Sequence, residues 1–233
     1  ISGMRFTLYK FVLICFIFLS TDKIFSQEAN QITFKFLYKN ADVIIDENYT
    51  HHTEKEIISI KKMKFYISNI LLYTPNGRID TLDKSVFLID ASQPESAKIK
   101  SSHLKFKNYD HISFDIGIDS ITHLSGAFGG DLDPMHGMYW TWQNGYINLK
   151  LEGKSNLCNS KTNKFTLHIG GYQHPFNMIQ KVSIDLNDSL VISVLMDELI
   201  KQMHTIEDCE IMSPNKNALL FSECFNNVFR SIK

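Results

Sequence analysis

Ile112-Ser-Phe-Asp-Ile-Gly-Ile118 carries an apolar side chain at every second position, with Ser113, Asp115 and Gly117 between them. Successive side chains of a β-strand point to opposite faces, so this spacing buries one face of a strand and wets the other. The same period recurs outward from this stretch in both directions. Ile32, Phe34, Phe36 and Tyr38 show it upstream; Ile147, Leu149 and Leu151, then Phe165, Leu167 and Ile169, then Val182, Ile184 and Leu186 show it downstream. Turn residues punctuate the segments: Pro75-Asn76-Gly77, Asn144-Gly145 and Gly170-Gly171. Short alternating segments with such punctuation predict an antiparallel sandwich or barrel.

Only the end of the chain changes period. Ser213-Pro214 offers a capping hydroxyl and a proline suited to a first helical position. Leu220, Cys224 and Val228, with Leu219, Phe225 and Phe229 beside them, then recur at helical spacing, which predicts an amphipathic helix closing one side of the domain. A shorter helix is expected around Met196 to Met203. At 233 residues, with 44% hydrophobic and 21% charged residues, the chain has the apolar content to build one sizeable core.

The first residues differ in kind. Arg5 and Lys10 stand close to Met4, which reads as the start, and the apolar run Phe11-Val-Leu-Ile-Cys-Phe-Ile-Phe-Leu19 follows before polar residues resume. A positive end, a short apolar core and a polar boundary are the plan of a signal peptide, and the run is too short for a stable membrane-spanning helix. Residues 1–26 are therefore expected to be removed after Ser26, leaving one domain over 27–233 that acts in the periplasm or in the secreted fraction, with no membrane span. Cys15 lacks the small residues that precede a lipid-modified cysteine. Removal takes away Arg5, Lys10, Lys23 and Asp22, leaving 21 basic and 24 acidic residues. Such a balance gives no electrostatic reason to bind nucleic acid or an anionic membrane. Export permits a disulfide, and of Cys158, Cys209 and Cys224 the expected pair is Cys209 with Cys224, leaving Cys158 free.

Chemistry-bearing residues are densest in Gly129–Gly153, GGDLDPMHGMYWTWQNGYINLKLEG. In a strand Met138, Trp140 and Trp142 share a face. His136 stands just upstream in a turn flanked by Gly and Pro. His168, in Phe165-Thr-Leu-His-Ile-Gly-Gly171, occupies the face opposite Phe165, Leu167 and Ile169. Imidazole and thioether donors suit copper, so His168, His136 and Met138 are the candidate metal ligands. Taken singly, each histidine is more often a structural residue than a ligand. Asp119, Asp131 and Asp133 could hold calcium, although turn formation and backbone capping explain them better. His51-His52 reads as solvated surface. No phosphate-cradling loop, nucleophile elbow, His-Glu-x-x-His helix or Cys-x-x-Cys pair is present, and Glu152 and Asp115 could be paired as acid and base only arbitrarily, so catalysis is not expected.

Gly137-Met-Tyr-Trp-Thr-Trp-Gln-Asn-Gly-Tyr146, continuing as Ile147-Asn-Leu-Lys-Leu-Glu-Gly153, resembles the MbnP-like family of exported proteins associated with the copper-chelating peptide methanobactin. Phe65-Tyr-Ile-Ser-Asn-Ile70, Phe114-Asp-Ile-Gly-Ile-Asp-Ser120, Asp131-Leu-Asp-Pro134, Leu167-His-Ile-Gly170 and Met212-Ser-Pro214 extend the likeness over nearly all of 27–233. The resemblance implies a mainly all-β fold, an antiparallel β-sandwich here closed by the C-terminal amphipathic helix. It also implies extracytoplasmic placement and, as in copper-binding relatives, a mononuclear copper site built from histidines and a tryptophan oxidised to kynurenine by a partner di-haem peroxidase. On that likeness Trp140 or Trp142 would be the oxidised cofactor-forming residue, with His168 and His136 as ligands. Two functions are thus expected: capture or carriage of copper, or a metal-free exported binding module.

Overall fold

The computed structural model describes residues 31–51, 56–101, 108–141, 145–187, 189–206 and 208–232. The expected signal peptide, His52 and Trp142 lie outside the described residues. In chain order the strands are β1 (Gln31–Tyr38), β2 (Ala41–Asp42), β3 (Asn48–His51), β4 (Glu56–Tyr73), β5 (Ile79–Thr81), β6 (Val86–Asp90), β7 (Lys98–Lys100), β8 (His111–Ile116), β9 (Tyr139–Trp140), β10 (Gly145–Tyr146), β11 (Leu149–Ser155), β12 (Lys164–Ile169), β13 (Tyr172–Gln173), β14 (Phe176–Asn177), β15 (Gln180–Asp185), β16 (Val191–Leu195), β17 (Glu210–Ile211) and β18 (Phe229–Ser231). The helices are α1 (Ser120–Leu124), α2 (Met196–Met203), α3 (Lys216–Ser222) and α4 (Phe225–Val228). None of the described helices is long and apolar enough to cross a membrane.

The larger sheet runs β15-β8-β4-β11-β12-β17, with β3, β5 and β6 also pairing with β4. The smaller runs β18-β16-β1-β2, with β7 on β1. Most pairs are antiparallel, but β1 with β16 and β12 with β17 are parallel, so both sheets are mixed. Strand β4 is the spine, and its core-facing residues change parity twice along its length. Ile58 and Ile60 face in, then Met63, Phe65 and Ile67, then Ile70 and Leu72. Each change coincides with a register shift, one opposite Glu152 and Gly153 and one between Ser68 and Leu71, where Asn69 has φ +51°. An extra residue at a bulge bends and twists a strand, which lets this long strand curl the sheet around the core.

Phe34 of β1 and Phe229 of β18 project from the small sheet onto Phe65 and Phe114 of the large one. All four ring pairs are edge-on, with centroids 5.4–6.2 Å apart. Edge-on aromatic pairs contribute roughly 1 kcal/mol each beyond the burial of their area. The apolar stripe Met196, Leu199, Ile200 and Met203 of α2 is buried, as its helical spacing requires.

The expected C-terminal helix forms in two pieces rather than one. Asn215, not Ser213, caps α3, its side chain accepting from the Ala218 amide at 2.9 Å. The chain then turns at Glu223 and Cys224, resumes as α4, and Phe229 leaves the helix for β18. Helix α3 packs on β12 and β14, and α4 on β15 and β16. The disulfide joins Cys158 to Cys209, correcting the expected Cys209–Cys224 pair. Cys209 lies just before β17, which docks beside β12, whereas Cys224 is buried between helices and stays a free thiol.

One face of the large sheet was expected to be wet. Residues 117–141 and 145–148 instead cross that outer face and, with side chains of the sheet, build a second apolar cluster there: Tyr66, Val86, Leu88, Ile118, Met138, Trp140, Tyr146 and Ile147. Tyr66 alternates with the core-facing Phe65 and pairs across with Leu88, which is why both reach this outer layer.

Candidate metal centre

His168 reaches the same outer face. It stands opposite Lys150, which stands opposite Lys64, and one step along the strands Glu152 stands opposite Lys62. The His168 Nε2 lies 2.9 Å from Glu152 Oε1, and Lys62 Nζ lies 2.9 Å from Glu152 Oε2. Burial by itself would raise the Glu152 carboxyl, but hydrogen bonds from Lys62 and His168 outweigh it and hold the group below the usual range. Burial pushes the His168 imidazole down, with Lys150 and Lys62 acting in the same sense and Glu152 opposing. A neutral imidazole beside a charged carboxylate carries its proton on the nitrogen facing that carboxylate. Nε2 of His168 therefore donates to Glu152, and Nδ1 keeps its lone pair. That Nδ1 is buried and has no hydrogen-bond partner among the described residues.

Trp140 is buried with Met138 in the outer cluster, as their shared strand face predicts. Its ring lies against Gly170, where an added Cβ would come within 3.0 Å of Trp140 Cζ3 and 2.7 Å of the Tyr146 carbonyl. Only glycine permits this approach. Gly170 follows His168 by two residues, so His168 and the Trp140 ring meet the same face of the chain at neighbouring positions.

His136 is exposed on the 3₁₀ turn Pro134–His136, which Asp133 caps by accepting from the Met135 amide and which Gly137 ends in the left-handed region at φ +70°. Its Nε2 donates to the Gly130 carbonyl at 3.0 Å. Lys64 donates to the His136 carbonyl and Lys150 to that of Gly137, so two lysines tie this turn to the sheet beside His168. The two candidate histidines are thus held by different partners.

The three aspartates considered for calcium do not converge. Asp131 accepts from Lys84 and the Leu88 amide, Asp119 caps α1 through Thr122, and Asp133 caps the 3₁₀ turn. Among the described residues no group of three or more His, Cys, Asp or Glu side chains is arranged to hold a metal ion.

Among the candidate ligands, His168 is the one held as an oriented donor. Burial favours its neutral form, a carboxylate fixes its other ring nitrogen, and Nδ1 is left unpaired, the posture in which histidines ligate metals. The Met138 thioether is buried in the outer cluster beside Trp140. Sequence reasoning found His168 but treated Glu152 as an arbitrary acid. The signal lay in the hairpin of β11 and β12, whose register sets Glu152 diagonally across from His168. His123 was missed altogether. It is 2% exposed, stacks on Tyr172 at 4.5 Å and accepts the Tyr146 amide on Nδ1 at 3.1 Å.

The family model described as MbnP matches residues 27–213 of the chain. No curated protein matches it. Among solved structures the chain is similar to MbnP from Methylosinus trichosporium, at 12% sequence identity and a TM-score of 0.49, the match covering 74% of this chain and 77% of that one.

Proposed function

The chain belongs to the MbnP family, and on that premise we propose that it is an exported copper-binding protein that captures or carries copper in the periplasm or outside the cell. The observation that carries this reading is the His168–Glu152 pair with its unpaired, buried Nδ1. Copper is a soft acceptor for imidazole, and holding it needs binding and orientation but no catalysis. His168 supplies the oriented nitrogen, Glu152 holds its tautomer, and the outer cluster keeps water from the neighbouring Trp140 ring. Oxidation of Trp140 by a di-haem peroxidase would add a polar donor beside His168, and Trp142 is the alternative target, so such an enzyme is the proposed partner.

The test is copper titration of residues 27–233 under reducing and oxidising conditions, with intact mass recorded. One equivalent should bind in the native chain and be lost in His168→Ala. Glu152→Gln should weaken binding by roughly 10- to 100-fold, the usual cost of removing such an orienting partner. Equal binding by the native chain and a His136→Ala/His168→Ala double variant would sink the copper reading. A second reading, an exported interaction module without metal, is favoured by the apolar side chains that the outer segment exposes: Ile121 at 76%, Leu124 at 70% and Met135 at 89%.

A further inference from the structure

At the opposite edge of the large sheet, β15 pairs with β8 alone, and its outward residues meet those of β8 in register. Asp185 stands opposite His111, and Ser183 opposite Ser113. All four lie on the face opposite the core residues Ile112, Phe114, Val182 and Ile184. His111 Nδ1 lies 2.8 Å from Asp185 Oδ1, and His111 Nε2 lies 2.7 Å from Ser183 Oγ. A carboxylate can only accept, so in the neutral imidazole Nδ1 carries the proton and Nε2 must accept from the Ser183 hydroxyl. This is the hydrogen-bond order of a nucleophile, its base and the group that orients the base.

We propose that Ser183, His111 and Asp185 form an acyl-transfer site that hydrolyses short carboxylic esters, separate from the candidate metal centre and independent of the copper reading. Tyr73 packs its ring edge on His111 with centroids 5.2 Å apart, and its hydroxyl lies 3.2 Å from Ser113 Oγ. A cleft of about 590 Å³ begins where these strands end. It is lined by Thr74, Asp110 and Leu186, the direct neighbours of Tyr73, His111 and Asp185, together with Arg78 and Tyr109.

In the reaction Ser183 Oγ bonds to the ester carbonyl carbon while its proton passes to His111 Nε2. Collapse breaks the bond from carbon to the alcohol oxygen, and His111 returns the proton to the departing alcohol. Water, deprotonated by the same imidazole, then releases the carboxylic acid and restores the serine. Because the site is open to solvent, its electrostatic stabilisation is weaker than in an enclosed one, and activated esters are the substrates it turns over.

The experiment combines labelling of residues 27–233 by a fluorophosphonate, mapped by peptide mass, with hydrolysis of a nitrophenyl acetate. The adduct should fall on Ser183, be absent in Ser183→Ala, and form on the order of 10²-fold more slowly in His111→Gln, as expected when a general base is lost. Asp185→Asn should slow labelling without changing the circular dichroism spectrum. Absence of an adduct at Ser183, or ester hydrolysis that is unchanged in Ser183→Ala, would overturn the proposal.

Discussion

The ring of His123 lies between Tyr172, stacked at 4.5 Å, and the edge of Tyr146, at 5.6 Å. Burial pushes its imidazole down to about 4, against opposing pulls from Asn148 and Asp119. In the unfolded chain the group titrates near 6.5, so between about 6.5 and 4 the unfolded state binds the extra proton. Stability therefore rises with pH across this window and falls as pH drops through it, by about 3 kcal/mol in all. His168, also lowered by burial, contributes in the same direction. Urea unfolding from pH 7 to pH 4 should show this loss in the native chain and a shallower slope in His123→Gln. Parallel slopes would show that the imidazole is not held neutral by the fold. At this scale the sequence was least informative. A histidine in Ser-Ile-Thr-His-Leu carries no periodic mark, and its burial depends on Tyr146 and Tyr172, which come from distant segments. His168 was legible because it alternates with Phe165, Leu167 and Ile169 in a regular strand.

Among the elements, β4 and β11 depend on Gly153. A Cβ there would come within 2.1 Å of the Ser59 carbonyl and 2.4 Å of Phe165 Cζ. The carbonyl belongs to the spine strand at its first register shift and cannot move without disturbing the ladder. Gly153→Ala should therefore lower the urea midpoint, with a loss of about 3 kcal/mol, the upper part of the range for overpacked sites. A variant as stable as the native chain would mean that the bulge relaxes freely. The same bulges explain what alternation could and could not reveal. Strands β8, β11, β12 and β15 keep one parity and were legible as a two-residue period. Strand β4, the longest, hides its period because two extra residues move its core face from Ile58 and Ile60 to Phe65 and then to Leu72. The C-terminal helix was legible as an apolar stripe, but its interruption at Glu223 and Cys224 leaves no mark in the spacing.

For the molecule as a whole, the Cys158–Cys209 bond ties the turn after β11 to the segment that brings β17 onto the sheet edge. It links residues 51 apart in sequence, and closing a loop of that size contributes about 4 kcal/mol by restricting the unfolded chain. Cys224 is buried and its thiol is pushed up to about 12. Residues 27–233 should therefore show no thiol reactive to a disulfide reagent when folded and one when unfolded without reductant. One equivalent reacting in the folded state would contradict the burial of Cys224, and a label mapped to Cys158 or Cys209 in the unfolded chain would contradict the pairing. The correct partner was not legible because the distance between Cys158 and Cys209 is set by the parallel docking of β17 on β12, a contact between segments far apart in the chain.

The bond also has a topological consequence. The closed ring from Cys158 to Cys209 passes through β12 and β15 of the large sheet and β16 of the small one, so the two layers are threaded on one covalent loop. A single proteolytic cut inside that loop opens it without releasing a fragment. A nicked chain would stay in one piece until the bond is reduced.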